Sequence, residues 1–109
     1  VGFSLAFGDS IGGVIGNRIG ADADDDDRCD SHYVRSTYYS TFERGREGRR
    51  YNWRNPHSGN YGYVRLEGTR RIRGQRCREF EQTIFIDGDR ETATGVACRQ
   101  RNGDWKIVS

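Results

Sequence analysis

The dipeptide Asp87-Gly88 constrains the fold of this 109-residue chain more than any other feature of its sequence. Asp-Gly favours a type I′ turn between antiparallel strands, because both central residues of that turn need a positive φ. A two-residue turn here pairs Ile86 with Asp89, and counting outward places Cys77 opposite Cys98 at a non-hydrogen-bonded position. The Cα atoms of such a pair lie about 4.5 Å apart, which suits a disulfide. We therefore predict a Cys77–Cys98 disulfide, with two buried free thiols as the alternative.

Further turn signals divide the C-terminal part of the chain into strands. The same register places Phe80 opposite Gly95, and Asn102-Gly103 is a second strong hairpin signal. Residues 55–60 form another turn-rich segment, between one segment that carries Tyr51 and Trp53 and another that carries Tyr61 and Tyr63. We expect an antiparallel meander of four or five strands, formed by a segment with Tyr51 and Trp53, a segment over 61–66, and the segments 76–86, 89–99 and 105–108.

A helix is expected before these strands, within residues 22–43. The segment begins with acidic residues, which suit the positive end of a helix. It then places Tyr33, Val34, Tyr38 and Phe42 at helical spacing, so that they could cover one face of the sheet. Gly45 and Gly48 would end this helix.

A glycine repeat occupies the start of the chain. Residues four apart share one face of a helix, so the glycines would form a groove and the isoleucines a ridge beside it. Each glycine costs about 1 kcal/mol in a helix interior, so a packing partner must offset the cost. We predict a glycine-zipper helix over 1–21, with a glycine-rich loop as the alternative, and a packing interface formed by Gly8, Ile11, Gly12, Ile15, Gly16, Ile19 and Gly20.

The predicted fold is therefore α+β: an N-terminal glycine-zipper helix and a second helix, followed by a small antiparallel meander. We divide the chain into the glycine-zipper helix at 1–21, an acidic and amphipathic helix with its linker at 22–48, and a β domain at 49–109. Asp9, Asn17 and Arg18 interrupt the first segment, which disfavours an independent membrane span. Contact with a membrane remains open.

Charge is distributed unevenly along the chain. Residues 22–30 hold six aspartates against one arginine, whereas residues 44–78 hold eleven arginines against two glutamates. These segments could pair between two copies of the chain or within one. Glycine docking and charge pairing together favour a homo-oligomer or a complex with a membrane-associated protein.

Four segments of the chain resemble the rickettsial-type 17 kDa surface antigen family. They begin at Trp53 (WRNPHSGNYG), Cys77 (CREF), Gly95 (GVACRQ) and Gly103 (GDWKIV), and the glycine repeat precedes them in the expected order. The resemblance implies a non-catalytic protein of the bacterial cell envelope, in the outer membrane or periplasm. The chain departs from the family in lacking an N-terminal lipid-accepting cysteine and in carrying one zipper segment rather than a pair.

A group of arginines and aromatic residues is the candidate binding surface. A basic sheet with stacking rings suits anionic lipid headgroups, glycan phosphates or, as a less favoured ligand, single-stranded nucleic acid. The alternative is that strand alternation turns the rings inward and the arginines outward. The group consists of Arg49, Arg50, Trp53, Arg54, Tyr61, Tyr63 and Arg65.

Catalysis has little support in the sequence. His32 and His57 have no evident nucleophile or metal ligands beside them, and ion pairing explains Glu79 and Glu81. The acidic run at 22–27 lacks the glycine and glutamate of a calcium loop. We expect no enzyme activity, cofactor, metal or small-molecule substrate. The favoured function is that of a structural or assembly protein of the envelope, and an anionic-ligand or nucleic-acid binding module is the alternative.

Overall fold

The computed structural model of the chain describes residues 5–7 and 28–108. Its strands are β1 (Leu5–Phe7), β2 (Arg50–Arg54), β3 (Tyr61–Ile72), β4 (Gln75–Ile86), β5 (Asp89–Arg99) and β6 (Trp105–Ile107). They form one sheet in the order β1-β6-β5-β4-β3-β2, in which β2 to β6 are an antiparallel meander. The predicted α+β class and five-stranded meander are confirmed.

The β4–β5 hairpin has the register that the Asp87-Gly88 turn predicts. Asp87 and Gly88 adopt φ values of 51° and 87°, as a type I′ turn requires. Cys77 lies opposite Cys98, and Phe80 lies opposite Gly95. The two cysteines form a disulfide, with their Cα atoms 4.1 Å apart. This bond therefore connects the two strands directly across the hairpin, as the sequence predicts.

The β3–β4 hairpin is longer than the sequence indicates. Strand β3 continues to Ile72, with a register shift between Leu66 and Gly68. The hairpin closes through Arg73 and Gly74, which both have positive φ values of 50° and 80°. The result is a pair of twelve-residue strands, β3 and β4, whose connecting turn lies beyond the C-terminal end of the helix that packs on them.

One helix, α1 (Asp30–Arg44), covers one face of the sheet. Val34, Tyr38 and Phe42 are completely buried on it, as the helical spacing predicts. The Phe42 ring packs 5.1 Å from the ring of Phe80 and 5.6 Å from that of Trp105. Full burial of such side chains contributes about 1.5–3 kcal/mol each. The helix ends at Gly45, whose backbone N–H donates to the Thr41 carbonyl oxygen.

The predicted helix over 1–21 is wrong for the three residues of it that the structure describes. Leu5–Phe7 form strand β1, which runs parallel to β6 and is paired with Trp105–Ile107. The edge of β6 would otherwise leave backbone N–H and C=O groups unpaired, and a strand satisfies them where a helix cannot. The glycine–isoleucine interface from Gly8 to Gly20 lies outside the described residues, so a second helix is not shown. Within the described residues, no helix is long and apolar enough to span a bilayer.

Candidate anion-binding surface

The face of the sheet opposite α1 gathers most of the predicted arginine–aromatic group. Strand alternation and register place five of its residues on this side, which we call the open face: Arg50, Arg54, Tyr61, Tyr63 and Arg65. Arg50 lies opposite Arg65, and Arg54 lies opposite Tyr61. All three arginines are exposed. The open face therefore combines exposed positive charges with aromatic rings within one strand pair.

Both tyrosine rings of the open face are held by a neighbouring side chain. Tyr61 stacks on Phe85 of β4, with ring centroids 4.6 Å apart and an interplanar angle of 14°. The Arg50 guanidinium lies over the Tyr63 ring, 4.2 Å from its centroid. Such cation–π contacts contribute roughly 0.5–1 kcal/mol at exposed sites. Tyr61 keeps 47% of its surface exposed, so part of this side chain remains in contact with solvent.

The electrostatic environment of the open face favours negative charge. A hydrogen bond with Thr83 lowers the pKa of the Tyr63 hydroxyl despite the opposing effect of burial, and the charges of Arg50 and Arg90 lower it further. The positive charges of Arg50 and Arg90, which contribute to this shift, also attract other anions. The arrangement can therefore bind phosphate or carboxylate groups.

Other charged residues extend this surface across the sheet. By register, the open face also carries Arg70, Arg90 and Lys106. The same face carries two carboxylates, Glu79 and Glu81, which offset part of this positive charge. The Glu79 carboxylate pairs with Arg70 at 3.2 Å, which confirms the predicted ion pairing for this residue. Basic groups therefore outnumber acidic groups on the open face.

Two residues of the predicted group lie elsewhere. Trp53 is buried on the α1 side and only 4% exposed, so its ring is not available for stacking. It packs against Gly62, where a Cβ atom would lie 2.8 Å from the Trp53 Nε1. Arg49 is exposed and comes just before β2. The alternative in which rings point inward and arginines point outward thus holds for Trp53 and for the arginines. It does not hold for Tyr61 or Tyr63, which lie on the open face.

The two histidines and the cysteine outside the disulfide lie on or next to α1 and in the β2–β3 loop. His32 lies on α1 with its ring 5.0 Å from that of Tyr33. His57 lies in the β2–β3 loop, where its backbone N–H donates to the Asn55 side chain. Cys29 is exposed and is not part of the disulfide. Within residues 5–7 and 28–108, no cluster of histidine, cysteine or carboxylate side chains could hold a metal ion.

Asn55 and Asp30 have a positioning role that periodicity does not indicate. Asn55 is completely buried, and its side-chain amide donates to the Asp30 carboxylate at 2.8 Å and to the Arg28 carbonyl oxygen at 2.9 Å. The same carboxylate accepts hydrogen bonds from Ser58 and Asn60. The WRNPHSGNYG segment thereby ties the β2–β3 loop to the first turn of α1.

Arg78 has an equivalent role at the other end of the helix. Its guanidinium donates to the carbonyl oxygens of Phe42 at 2.8 Å and Gly45 at 2.7 Å. Burial lowers the pKa of Arg78, and the nearby Arg76 lowers it further. The helix C-terminus carries a partial negative charge, so a cation there is favoured. The CREF segment therefore supplies a disulfide cysteine, a helix cap, an ion-pair partner and the core residue Phe80.

Comparison with known proteins supports the family resemblance. The family model described as "17 kDa outer membrane surface antigen" matches residues 40–106. The 17 kDa surface antigen of Rickettsia conorii is 42% identical over 84 residues, which cover 76% of this chain and 53% of that protein. The 17 kDa surface antigen of Rickettsia bellii is 38% identical over 94 residues, or 85% of this chain and 57% of that protein.

The chain thus spans about half the length of the curated relatives it matches. No solved structure matches it. The matched region of the family model contains the disulfide, which joins β4 to β5, and it contains the Asn55 loop and the Arg78 cap, which hold α1 against the sheet. The chain belongs to the 17 kDa outer membrane surface antigen family.

Proposed function

We propose that this chain is a non-catalytic protein of the bacterial cell envelope whose open face binds anionic groups of envelope lipids or glycans. The observation that carries the proposal is the placement of Arg50, Arg54 and Arg65 beside Tyr61 and Tyr63 on one solvent-facing side of the sheet. Membership of a family named for outer membrane surface antigens supports the envelope location. Outer membrane and periplasm are both compatible with the proposal.

The chemistry of the open face suits such ligands. A guanidinium group binds phosphate or carboxylate through two parallel hydrogen bonds, and an aromatic ring offers a flat apolar surface beside it. Basic side chains near an anionic membrane contribute about 1 kcal/mol each. Three exposed arginines would therefore give weak, salt-sensitive binding, which suits a protein that is also held by a second contact.

We propose that the glycine segment provides this second contact. The spacing from Gly8 to Gly20 would let another backbone approach closely, either a second copy of the chain or a membrane-associated protein. Replacement of Gly12 and Gly16 by leucine should abolish self-association measured as mass in solution, and replacement of Gly2 and Gly13, which lie off the stripe, should not. Unchanged association in the first variant would contradict zipper-driven assembly.

Single-stranded nucleic acid is a less favoured ligand of the open face. Trp53, the largest ring in the predicted group, is buried beneath α1. Tyr61 and Tyr63 lie on adjacent outward positions of β3, but one is stacked on Phe85 and the other lies beneath Arg50. Sequential base stacking needs free rings along a groove, so these contacts favour an anionic lipid or glycan.

Binding of the full 109-residue chain to vesicles tests the proposal. Phosphatidylcholine vesicles with added phosphatidylglycerol should sediment the protein at low salt, whereas vesicles of phosphatidylcholine alone should not. Replacing Arg54 and Arg65 by glutamine should weaken this binding, and replacing Arg44 and Arg46, which are exposed near the end of α1, should have a smaller effect. Equal loss in both variants would contradict a specific role for the open face.

A further inference from the structure

A basic cleft lies at the end of the sheet that extends past α1. Its cavity of about 800 Å³ is within the size range of small-molecule sites. Arg71 and Arg76 pair on the α1 side of the sheet, because strand alternation places them on the face opposite to Arg70. The cleft is therefore a separate feature of the molecule. The arginines that line it come from β3, β4, β5 and the two neighbouring turns: Arg71, Arg73, Arg76, Arg99 and Arg101.

The positive charge of the cleft is mostly unbalanced. Among the described residues that line it, Glu43 is the only carboxylate. Its Oε1 accepts hydrogen bonds from the Trp105 indole N–H at 3.3 Å and from the Arg99 Nε at 3.4 Å. This carboxylate therefore offsets one guanidinium of the five. The remaining arginines lie close together without a matching number of acidic groups.

Arg73 occupies a position where the backbone favours another residue. Its φ of 50° is in the left-handed region, at the turn position that asparagine, aspartate or glycine usually takes. The Arg73 side chain is exposed, so burial or packing does not account for it. The neighbouring Arg71 donates to the Gly74 carbonyl oxygen at 2.8 Å and is thereby held beside the turn. An arginine at this position adds charge at the mouth of the cleft.

Covalent and polar contacts hold the two sides of the cleft in place. The Cys77–Cys98 disulfide connects β4 and β5 close to the cleft. Gln100 donates from its side-chain amide to the Cys98 carbonyl oxygen at 2.9 Å. The Gln75 side-chain amide reaches Gln100 across the cleft at 3.5 Å. These contacts fix the strand ends that carry the arginines. Less backbone freedom is therefore lost when a ligand binds.

We propose that this cleft binds a ligand with clustered phosphate groups. A guanidinium fork matches the geometry of phosphate oxygens, and several such forks around one cavity suit several phosphates rather than a single one. The same chemistry is present in a soluble polyphosphorylated sugar and in a phosphorylated lipid headgroup. This site goes beyond the proposed function of the open face, and variants on the two surfaces separate their contributions.

Calorimetric titration of the full chain with inositol hexakisphosphate tests the proposal. The cleft variant replaces Arg73 by asparagine, which suits the positive φ, and Arg101 by glutamine. The matched variant replaces Arg54 and Arg65 of the open face by glutamine and removes the same charge. We expect saturable binding of the wild-type chain, about tenfold or greater weakening in the cleft variant, and less than about twofold in the matched variant.

Two outcomes would overturn the proposal: no saturable binding of the wild-type chain, or equal weakening in both variants. Urea unfolding checks that both variants remain folded, and charge reversal by Arg101→Glu alone supplies a second test if the double variant does not fold.

Inorganic phosphate should bind far more weakly than the hexakisphosphate, since a single phosphate engages fewer arginines. Vesicles containing a phosphatidylinositol bisphosphate identify the source: preferential loss of vesicle binding in the cleft variant assigns it to lipid headgroups, and retention assigns it to a soluble ligand.

Discussion

The side-chain amide of Asn55 donates a hydrogen bond to the Asp30 carboxylate at 2.8 Å, across 25 positions of sequence. This bond matters because the helix N-cap, Cys29, makes no side-chain capping bond. The β2–β3 loop instead anchors the first turn of α1 by donating to Asp30 and to the Arg28 carbonyl oxygen, whereas a serine or aspartate cap would accept from helical N–H groups. The family segment that contains Asn55 has a structural role in positioning α1.

Replacement of Asn55 by alanine should destabilise the fold by about 2–3 kcal/mol. The change removes buried hydrogen bonds to the charged Asp30 and to the Arg28 carbonyl oxygen. Urea unfolding followed by circular dichroism measures the effect. The control is Asn52→Ala, an exposed change on β2 that should stay within about 0.5 kcal/mol. Equal unfolding midpoints for the two variants would contradict the role of Asn55.

Replacement of Arg78 by methionine should cost about 2 kcal/mol of stability. Methionine keeps an apolar stem but leaves the Phe42 and Gly45 carbonyl oxygens without their donor. Lysine at this position should rescue only part of the loss, since a single ammonium cannot reproduce the guanidinium fork. Thermal unfolding compares these variants with Arg70→Met, which removes an exposed ion pair and should have little effect. Full rescue by lysine would contradict the two-carbonyl cap.

Removal of the disulfide should lower the free energy of unfolding by about 3 kcal/mol. The bond joins residues 21 positions apart, and closing a loop of that size restricts the unfolded chain. The double variant Cys77→Ala and Cys98→Ala tests this, with Cys29→Ala as the control because Cys29 is exposed and outside the bond. Intact-mass analysis of the wild-type chain should also show a gain of two hydrogens on reduction. Loss of stability in the Cys29 variant alone would contradict the assignment.

Glu43 should make stability depend on acidic pH. Partial burial raises the pKa of this carboxyl, but hydrogen bonds from Trp105 and Arg99 and the charge of Arg99 outweigh burial and lower it overall. A folded-state pKa below the unfolded value means that the stabilisation is complete above about pH 4.3 and is lost as the pH falls through the folded pKa.

The variant Glu43→Gln should therefore show a flatter stability profile below that pH than the wild-type chain. Unfolding by urea at a series of pH values measures the difference, and Glu67→Gln, an exposed change on β3, is the control. A wild-type profile and a Glu43→Gln profile that run parallel through the acidic range would contradict the assigned interaction.

Turn chemistry explains which parts of the fold could be predicted from the sequence. Asp-Gly at 87–88 specifies a turn of known length, so the register from Ile86 to Cys77 follows by counting. The Arg73-Gly74 turn could not be predicted in this way, because arginine does not favour a positive φ. The strand at Leu5–Phe7 was missed because it depends on pairing with the distant β6 rather than on a local pattern.

The candidate site was predictable only in part. Alternation showed that neighbouring side chains of β2 and β3 point to opposite faces, but it did not indicate which face α1 covers. That face was decided by packing, which buries Trp53 and leaves Tyr61 outside. The basic cleft was not predicted, since its arginines come together only when the ends of the two hairpins meet beyond α1.

The most direct test of the central claim is nuclear magnetic resonance mapping of the open face. The uniformly ¹⁵N-labelled full chain is titrated with bicelles that contain phosphatidylglycerol, and backbone amide shifts are recorded. We predict that the largest changes occur at Arg54, Tyr61, Tyr63 and Arg65, and that amides of α1 such as Val34 change little. Shift changes confined to α1, or no shift changes at low salt, would contradict the account.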